Sequence, residues 1–264
     1  MPSPEMPPSS ASSSSSSSES ELGHGLEYSS EGKNYYEWLA DSFGPELKSS
    51  VAHPAAKGRI IEHGAGTGGL SRLLLERGAR PLTLTEPDPK LAAMLATEFA
   101  GQPGVEVAHT TLEGYLDQAG AGCADAVVSS NVLEHVVDDE ACLAAMWKLL
   151  RPGGLLALYV PARPELYNEF DRAVGHQRRY TRPDLAAKLA RAHFDVTTLK
   201  YRNLVGTAGW FIMGRFLKRR AVGKGSVRLY DRVIFPLSRF IEDRIALPYG
   251  LNLLCLARRP QASG

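Results

Sequence analysis

The 264-residue sequence has little cysteine, almost no net charge and no apolar run long enough to span a bilayer. Its three cysteines, Cys123, Cys142 and Cys255, are odd in number, far apart and set among apolar or small residues. That pattern excludes a disulfide framework and a cysteine-rich zinc site. A formal net charge of +1 gives the chain as a whole no electrostatic reason to seek nucleic acid, and no such partner is expected. The charge-free stretch 204–214 falls far short of the roughly 20 residues a membrane helix needs. The N-terminal segment shows neither a basic stretch followed by an apolar one nor an arginine-rich leader, so a cytoplasmic setting is expected. Residues 1–22 are proline, serine and glutamate with almost nothing to bury, the composition of a disordered tail. No internal repeat is visible.

What is present centres on residues 60–69, Ile60-Ile61-Glu62-His63-Gly64-Ala65-Gly66-Thr67-Gly68-Gly69. A β-branched run ends in an acid and turns through glycines into the helical pattern Leu70, Leu73, Leu74, which reads as strand, tight loop, helix. Such a loop lets a ligand lie close to the main chain beside the free N–H groups of the new helix. Gly64, Gly66 and Gly69 also satisfy G-x-G-x-x-G, the dinucleotide fingerprint. Glu62 decides between the two readings. A carboxylate two residues before the first glycine would repel a pyrophosphate and attract an ammonium group. S-adenosylmethionine carries an ammonium and a sulfonium and has no phosphate, and Glu86, ending the run 81–85, is placed to accept its ribose hydroxyls. A dinucleotide-dependent oxidoreductase is the disfavoured alternative, and a catalytically silent cofactor-binding scaffold is a third.

With the glycine loop, Glu86, Ser129-Ser130-Asn131-Val132-Leu133-Glu134-His135-Val136 and Leu150-Arg151-Pro152-Gly153-Gly154-Leu155-Leu156 in this order, residues 58–164 resemble the class I S-adenosylmethionine-dependent methyltransferases. Strands and helices alternate from Arg59 onward, the pattern of a parallel sheet covered by helices on both faces. The expected fold is therefore α/β, a doubly wound, seven-stranded, mostly parallel sheet with an antiparallel last strand and a helical insertion before it. Asp88 with Pro89, and Thr181 with Pro183 and Asp184, read as helix starts. The segment 151–154 reads as the stop of a helix, with strand five following over 155–160. The domain reading is a tail at 1–22, an N-terminal helical lid at 23–57 and the methyltransferase domain at 58–264, with a substrate arm at 163–182 and a helical cap at 202–247.

The resemblance implies cofactor contacts from Glu62, Gly64, Ala65, Gly66, Gly68, Glu86, Ser130 and Asn131. Adenine recognition falls to the main chain of Thr111 and Leu112, because the acid the family often places there is missing. The lid is read as a helix at 33–40, interrupted by Gly44-Pro45 and resumed at 46–51, with Tyr35, Tyr36 and Trp38 as lid residues and Tyr36 reaching the substrate. Methyl transfer is an in-line displacement that needs alignment and, for a hydroxyl acceptor, removal of a proton. His135 and His176 are the base candidates. Asn131-x-x-Glu134-His135 resembles the E-x-x-E-H metal pattern of some methyltransferases, with Asn131 replacing the first acid. One carboxylate and one imidazole make a thin shell for Mg²⁺, so no metal is expected.

The arm holds Asp171, Arg172, His176, Arg178, Arg179 and Tyr180, too long and too polar for a plain turn. Arg178, Arg179 and Tyr180 are expected at the pocket mouth, where arginines would suit an acidic or sugar-bearing acceptor. Gly175-His176-Gln177-Arg178-Arg179-Tyr180-Thr181 resembles bacterial methyltransferases often associated with glycan and cell-envelope biosynthesis. The expected partner is a small-molecule acceptor, with oxygen favoured over nitrogen or carbon as the methylated atom. A lipid-linked or glycan acceptor at a membrane surface is the alternative, through peripheral contact of 204–245, where Trp210 and Phe211 precede Arg215, Lys218, Arg219 and Arg220. The sequence does not fix the oligomeric state.

Overall fold

The computed structural model describes residues 33–51, 58–207, 240, 242, 244–245 and 247–261. The tail at 1–22, Trp210, Phe211 and the basic cluster that follows lie outside these residues.

Strand residues here are apolar on both faces, as a sheet covered on both sides requires. Neighbouring residues of one strand go to opposite cores. Ile61, Val127, Leu156 and Leu158 face a cluster with Leu112, Leu143, Met146, Leu185 and Leu189. Ile60, Val128, Ala157 and Tyr159 face another with Phe43, Leu70, Leu74 and Leu95.

The elements run α1 (Lys33–Val51), β1 (Ile60–His63), α2 (Gly69–Glu76), β2 (Leu82–Thr85), α3 (Pro89–Glu98), β3 (Val105–Ala108), α4 (Leu112–Ala119) and β4 (Ala124–Ser130), continuing with α5 (Asp139–Leu149), β5 (Leu150–Pro161), α6 (Glu169–Ala173), α7 (Arg182–Arg191), β6 (Asp195–Arg202) and β7 (Asn252–Arg258). The seven-stranded sheet has the order β3-β2-β1-β4-β5-β7-β6. The first five strands pair in parallel, whereas β7 lies between β5 and β6 and is antiparallel to both. This is the doubly wound architecture read from the sequence. The strand order reverses at β1 and β4, so the loops leaving their carboxyl ends border the crevice where such sheets bind ligands.

Local chemistry sets the helix starts. Asp88 caps α3 through the N–H groups of Lys90 and Leu91, Asp138 caps α5 through Ala141, and Thr181 caps α7 through Asp184.

Two local expectations are corrected. First, Gly44-Pro45 does not divide the lid: α1 runs unbroken through Pro45. An internal proline costs about 3 kcal/mol. Leu39, Phe43 and Leu47, spaced by four and all buried, form one apolar stripe that docks the helix on both sides of the proline. Second, Pro152-Gly153-Gly154 lies inside β5. Leu150 pairs with Ala124 and Leu155 with Ala126, so the intervening residues loop out as a bulge. The bulge turns Arg151 onto the buried carboxylate of Asp125.

Candidate active site

The glycine loop leaves β1 and is fastened to the end of β2. The N–H groups of Gly64 and Ala65 donate to Thr85 O at 2.9 and 3.1 Å. Gly64 has φ 68°, and a Cβ there would lie 2.6 Å from Val132 Cγ2, so only glycine lets this loop approach the loop after β4. Gly66, at φ 56°, has nothing within 4 Å of the place a Cβ would occupy. Its missing side chain opens onto free space, as a ligand cradle requires. Gly68 precedes α2 and donates to Ala65 O at 2.9 Å.

Two buried carboxylates flank this loop. Glu86 Oε2 accepts from Gly66 N at 2.8 Å and Oε1 from Asp88 N at 3.0 Å, which ties the acid after β2 to the loop after β1. Burial raises its pKa, and those two backbone donors oppose the shift. Glu62 is 3% exposed and its Oε2 has no hydrogen-bond partner. Burial pushes its carboxyl up to about 8; the neighbouring Ser71 opposes the shift without closing a hydrogen bond, and Glu86 adds to it. A buried carboxylate oxygen left unpaired beside an open glycine loop is the feature a cationic ligand group would complete. The residues present thus fit the ammonium and ribose ends of S-adenosylmethionine.

The remaining cofactor candidates sit at the same edge of the sheet. Thr111 caps α4, accepting from Gly114 N at 3.2 Å, and Leu112 is buried at the helix start. Ser130 ends β4. Asn131 is held at φ 53°, its N–H donating to Tyr159 O at 2.8 Å and its Nδ2 donating to Tyr35 Oη at 2.8 Å. Tyr35 and Tyr36 meet edge to face at 5.3 Å, and the Tyr36 ring lies 2.9 Å from where a Cβ on Gly69 would be. Helix α1 therefore touches both the glycine loop and the loop after β4. Trp38 packs edge to face on Tyr159 in the core.

The arm is placed differently from expectation in three residues. Arg178 pairs with Asp139 at 2.9 Å and donates to Val137 O at 2.8 Å. Arg179 is 5% exposed, donating to Asp171 at 2.7 and 2.9 Å and to Ala162 O at 3.1 Å. Tyr180 is fully buried, its hydroxyl donating to Asp139 at 2.9 Å. These side chains turn inward because Asp139 and Asp171 are buried carboxylates that require counter-charges and donors.

His176 instead meets the loop after β4. Its Nδ1 lies 2.8 Å from Asp171 Oδ1, and its Nε2 lies 3.7 Å from Glu134 Oε1, beyond hydrogen-bond distance. Burial raises Asp171, but the hydrogen bonds from His176 and Arg179 outweigh it and hold the carboxyl below its usual range. Glu134 is fully buried, and neither carboxylate oxygen has a hydrogen-bond partner. Burial pushes it up to about 7, against the opposing charge of His176. His135 keeps an exposed edge and stacks edge to face on His176 at 4.7 Å; burial of its packed face and the nearby His176 lower it to about 4. One ligand atom each from Glu134, His135 and His176 lies within 4.8 Å of the others, a spacing that could hold a metal ion. Sequence reading named Glu134 and Asp171 only within their motifs; the five-residue step from Asp171 to His176 was the signal available.

Fold and site together define an S-adenosylmethionine-binding methyltransferase domain. Residues 61–156 match the family model described as a methyltransferase domain. That match covers a little over a third of the chain, from β1 into β5. It is 30% identical over 170 residues to a ubiquinone biosynthesis O-methyltransferase of Methylocella silvestris, covering 58% of this chain and 64% of that protein. It is 30% identical over 116 residues to a trans-aconitate 2-methyltransferase of an Acidovorax strain, covering 44% of this chain and 43% of that protein. The chain thus spans less than two thirds of these curated relatives. Among solved structures, the 1,6-didemethyltoxoflavin N1-methyltransferase of Burkholderia thailandensis, bound to S-adenosylhomocysteine, superposes with TM-score 0.52 at 20% identity, covering 96% of this chain and 94% of that one. At that identity the likeness concerns the fold. No helix among the described residues is long and apolar enough to cross a membrane.

Proposed function

We propose that the chain transfers a methyl group from S-adenosylmethionine to a hydroxyl oxygen of a small-molecule acceptor. The observation that carries this reading is the pair of buried carboxylates around the glycine loop, above all Glu62 with its unpaired oxygen. Glu62 would hold the cofactor's ammonium group, Glu86 its ribose, the main chain at Thr111 and Leu112 its adenine, and Ser130 and Asn131 its methionine part. Tyr36 closes over the loop from α1. Bound S-adenosylmethionine supplies a methyl carbon activated by the sulfonium.

In the balanced reaction the acceptor's O–H bond breaks, an O–CH₃ bond forms and the C–S bond breaks, leaving S-adenosylhomocysteine and one proton. The chain's task is alignment and acceptance of that proton. Glu134, His135 and His176 are the acceptor groups gathered beyond β4, with His135 on the exposed side. The names of the ubiquinone-pathway relatives support oxygen as the acceptor atom.

Calorimetry tests the cofactor assignment. S-Adenosylmethionine and S-adenosylhomocysteine should bind the wild type while NAD does not, and Gly66→Arg, which fills the open space at that glycine, should lose binding with its circular dichroism unchanged. Tight NAD binding would refute the reading. Labelled-methyl transfer into extracts, followed by identification of the product, then tests oxygen as the acceptor.

A further inference from the structure

We propose that Arg163 anchors the acceptor: its guanidinium binds a carboxylate of the small molecule that is methylated, which makes that molecule a hydroxy acid. The inference deepens the proposed reaction and rests on it for the hydroxyl, whereas the carboxylate contact stands on the residues at the end of β5.

The other arginines near the ends of β5 and β6 are committed. Arg178 pairs with buried Asp139 and Arg179 with buried Asp171. Arg202 donates to Glu242 O at 2.8 Å and lies over the Trp38 ring. Among the described residues Arg163 has one ion pair, at 2.8 Å to Glu165, whose side chain is 57% exposed. A pair this open to water contributes little and exchanges readily for another carboxylate. The Arg163 Nε makes no hydrogen bond, so turning the guanidinium towards a ligand breaks no buried one.

The backbone singles out the same residue. Arg163 stands at φ 69°, a left-handed conformation that glycine adopts freely and arginine does not. It is fixed from both sides: Arg163 N donates to Tyr180 O at 3.0 Å, and Ala162 N to Leu251 O at 2.7 Å. Asn131, Arg163 and Asn203, three of the four described non-glycine residues at positive φ, stand one or two positions past β4, β5 and β6 along one rim of the sheet. Residues held this way cluster at ligand sites.

Geometry selects the ligand class. The guanidinium carbon lies 4.3 Å from the centre of the Tyr249 ring, itself half exposed just before β7. With one face covered by the ring, contact is left to donors in the guanidinium plane, which suits a two-pronged bond to a planar carboxylate. Ser130 at the end of β4 pairs with Tyr159, and Arg163 is four residues further on, at most about 13 Å along an extended chain. A hydroxyl beside the loop after β4 and a carboxylate on Arg163 are therefore within the span of one small molecule. Arg163 also lies beyond the 61–156 segment that matches the methyltransferase domain, so the preference belongs to this chain's own arm.

The test titrates benzoate, benzamide and phenyl phosphate into the full-length protein by ligand-observed NMR at constant ionic strength, with and without saturating S-adenosylhomocysteine. Benzoate should bind at least 10-fold more tightly than benzamide, and more tightly than phenyl phosphate. Arg163→Gly suits the backbone at φ 69° and should keep the fold while weakening benzoate about 10- to 100-fold, with benzamide unmoved. Arg163→Lys keeps the charge without the planar fork and should fall between the two. Arg172→Gln removes an exposed arginine of α6 and should leave benzoate binding unchanged. In labelled-methyl transfer to extracts, the wild-type product should be retained on an anion exchanger. Benzoate no tighter than benzamide, a preference for phenyl phosphate, undiminished benzoate binding in Arg163→Gly, equal weakening in Arg172→Gln or a neutral labelled product would each overturn the proposal. Absence of S-adenosylhomocysteine binding is a separate result: it would remove the proposed reaction, and the titration without that ligand would still decide the carboxylate contact.

Discussion

Replacing Glu62 by glutamine should make the empty protein more stable and the cofactor complex weaker, and both effects follow from one buried oxygen. Burial raises the Glu62 pKa from 4.5 to about 8 in the folded chain. Between those values the native state holds a proton that the unfolded state has released, so stability falls as pH rises from about 4.5 to 8. At about 1.4 kcal/mol per pKa unit the loss is on the order of 3–5 kcal/mol, complete only above the folded pKa. Glu62→Gln removes it, and near pH 8 the variant should melt above the wild type. Cofactor binding runs the other way. At pH 7 roughly nine tenths of the empty protein carries the proton on Glu62. Pairing with the ligand's ammonium requires the carboxylate, so binding must release nearly one proton, and affinity should rise about tenfold per pH unit below pH 8. Calorimetry of S-adenosylhomocysteine at pH 7, in two buffers of different ionisation enthalpy, reads that proton directly. The variant should release none and bind about 10- to 100-fold more weakly, the worth of a hydrogen bond to a charged group. Equal affinity, or the absence of proton release in the wild type, would refute the placement of the ammonium at Glu62.

Two further outcomes follow from the buried ion pairs. Arg151→Ala leaves the fully buried Asp125 without its arginine and should destabilise the chain by about 3–5 kcal/mol, read as a lowered Tm; an unchanged Tm would show that the bulge in β5 does not depend on the pair. Arg178→Ala should cost about 1–2 kcal/mol through Asp139, which keeps Lys188 and Tyr180, and leave the acceptor's KM unmoved. A raised KM at constant Tm would return Arg178 to the pocket mouth.

The sequence made legible what is encoded within a few residues. Asp88 and Thr181 announce their helices because a cap and the N–H it satisfies are two or three positions apart. The order of glycine loop, Glu86 and the Asn131 loop located the crevice, because each follows the carboxyl end of a strand. Features decided by distant partners were not legible. Continuity of α1 through Pro45 depends on a stripe docked against the sheet, and the inward turn of Arg178 and Tyr180 depends on Asp139, some forty positions away. The meeting of Glu134 with His176 is of the same kind: two ordinary residues acquire chemistry only because the arm folds back over the loop after β4, with Gln177 N donating to Glu134 O at 2.8 Å.

The base of the segment between β6 and β7 has a consequence of its own. Leu251 N donates to Asn203 O at 3.2 Å, Glu242 accepts from the N–H groups of Asn203 and Leu204 at 2.9 Å, and a Cβ on Gly250 would run into the Arg202 backbone at 2.3 Å. The two ends of the excursion are thus clasped at the rim of the sheet, and β7 enters its slot in a register that its own ladder and this clasp determine. The ladder of β7 and this clasp at its entry thus hold the antiparallel strand in place from the described ends of the connection.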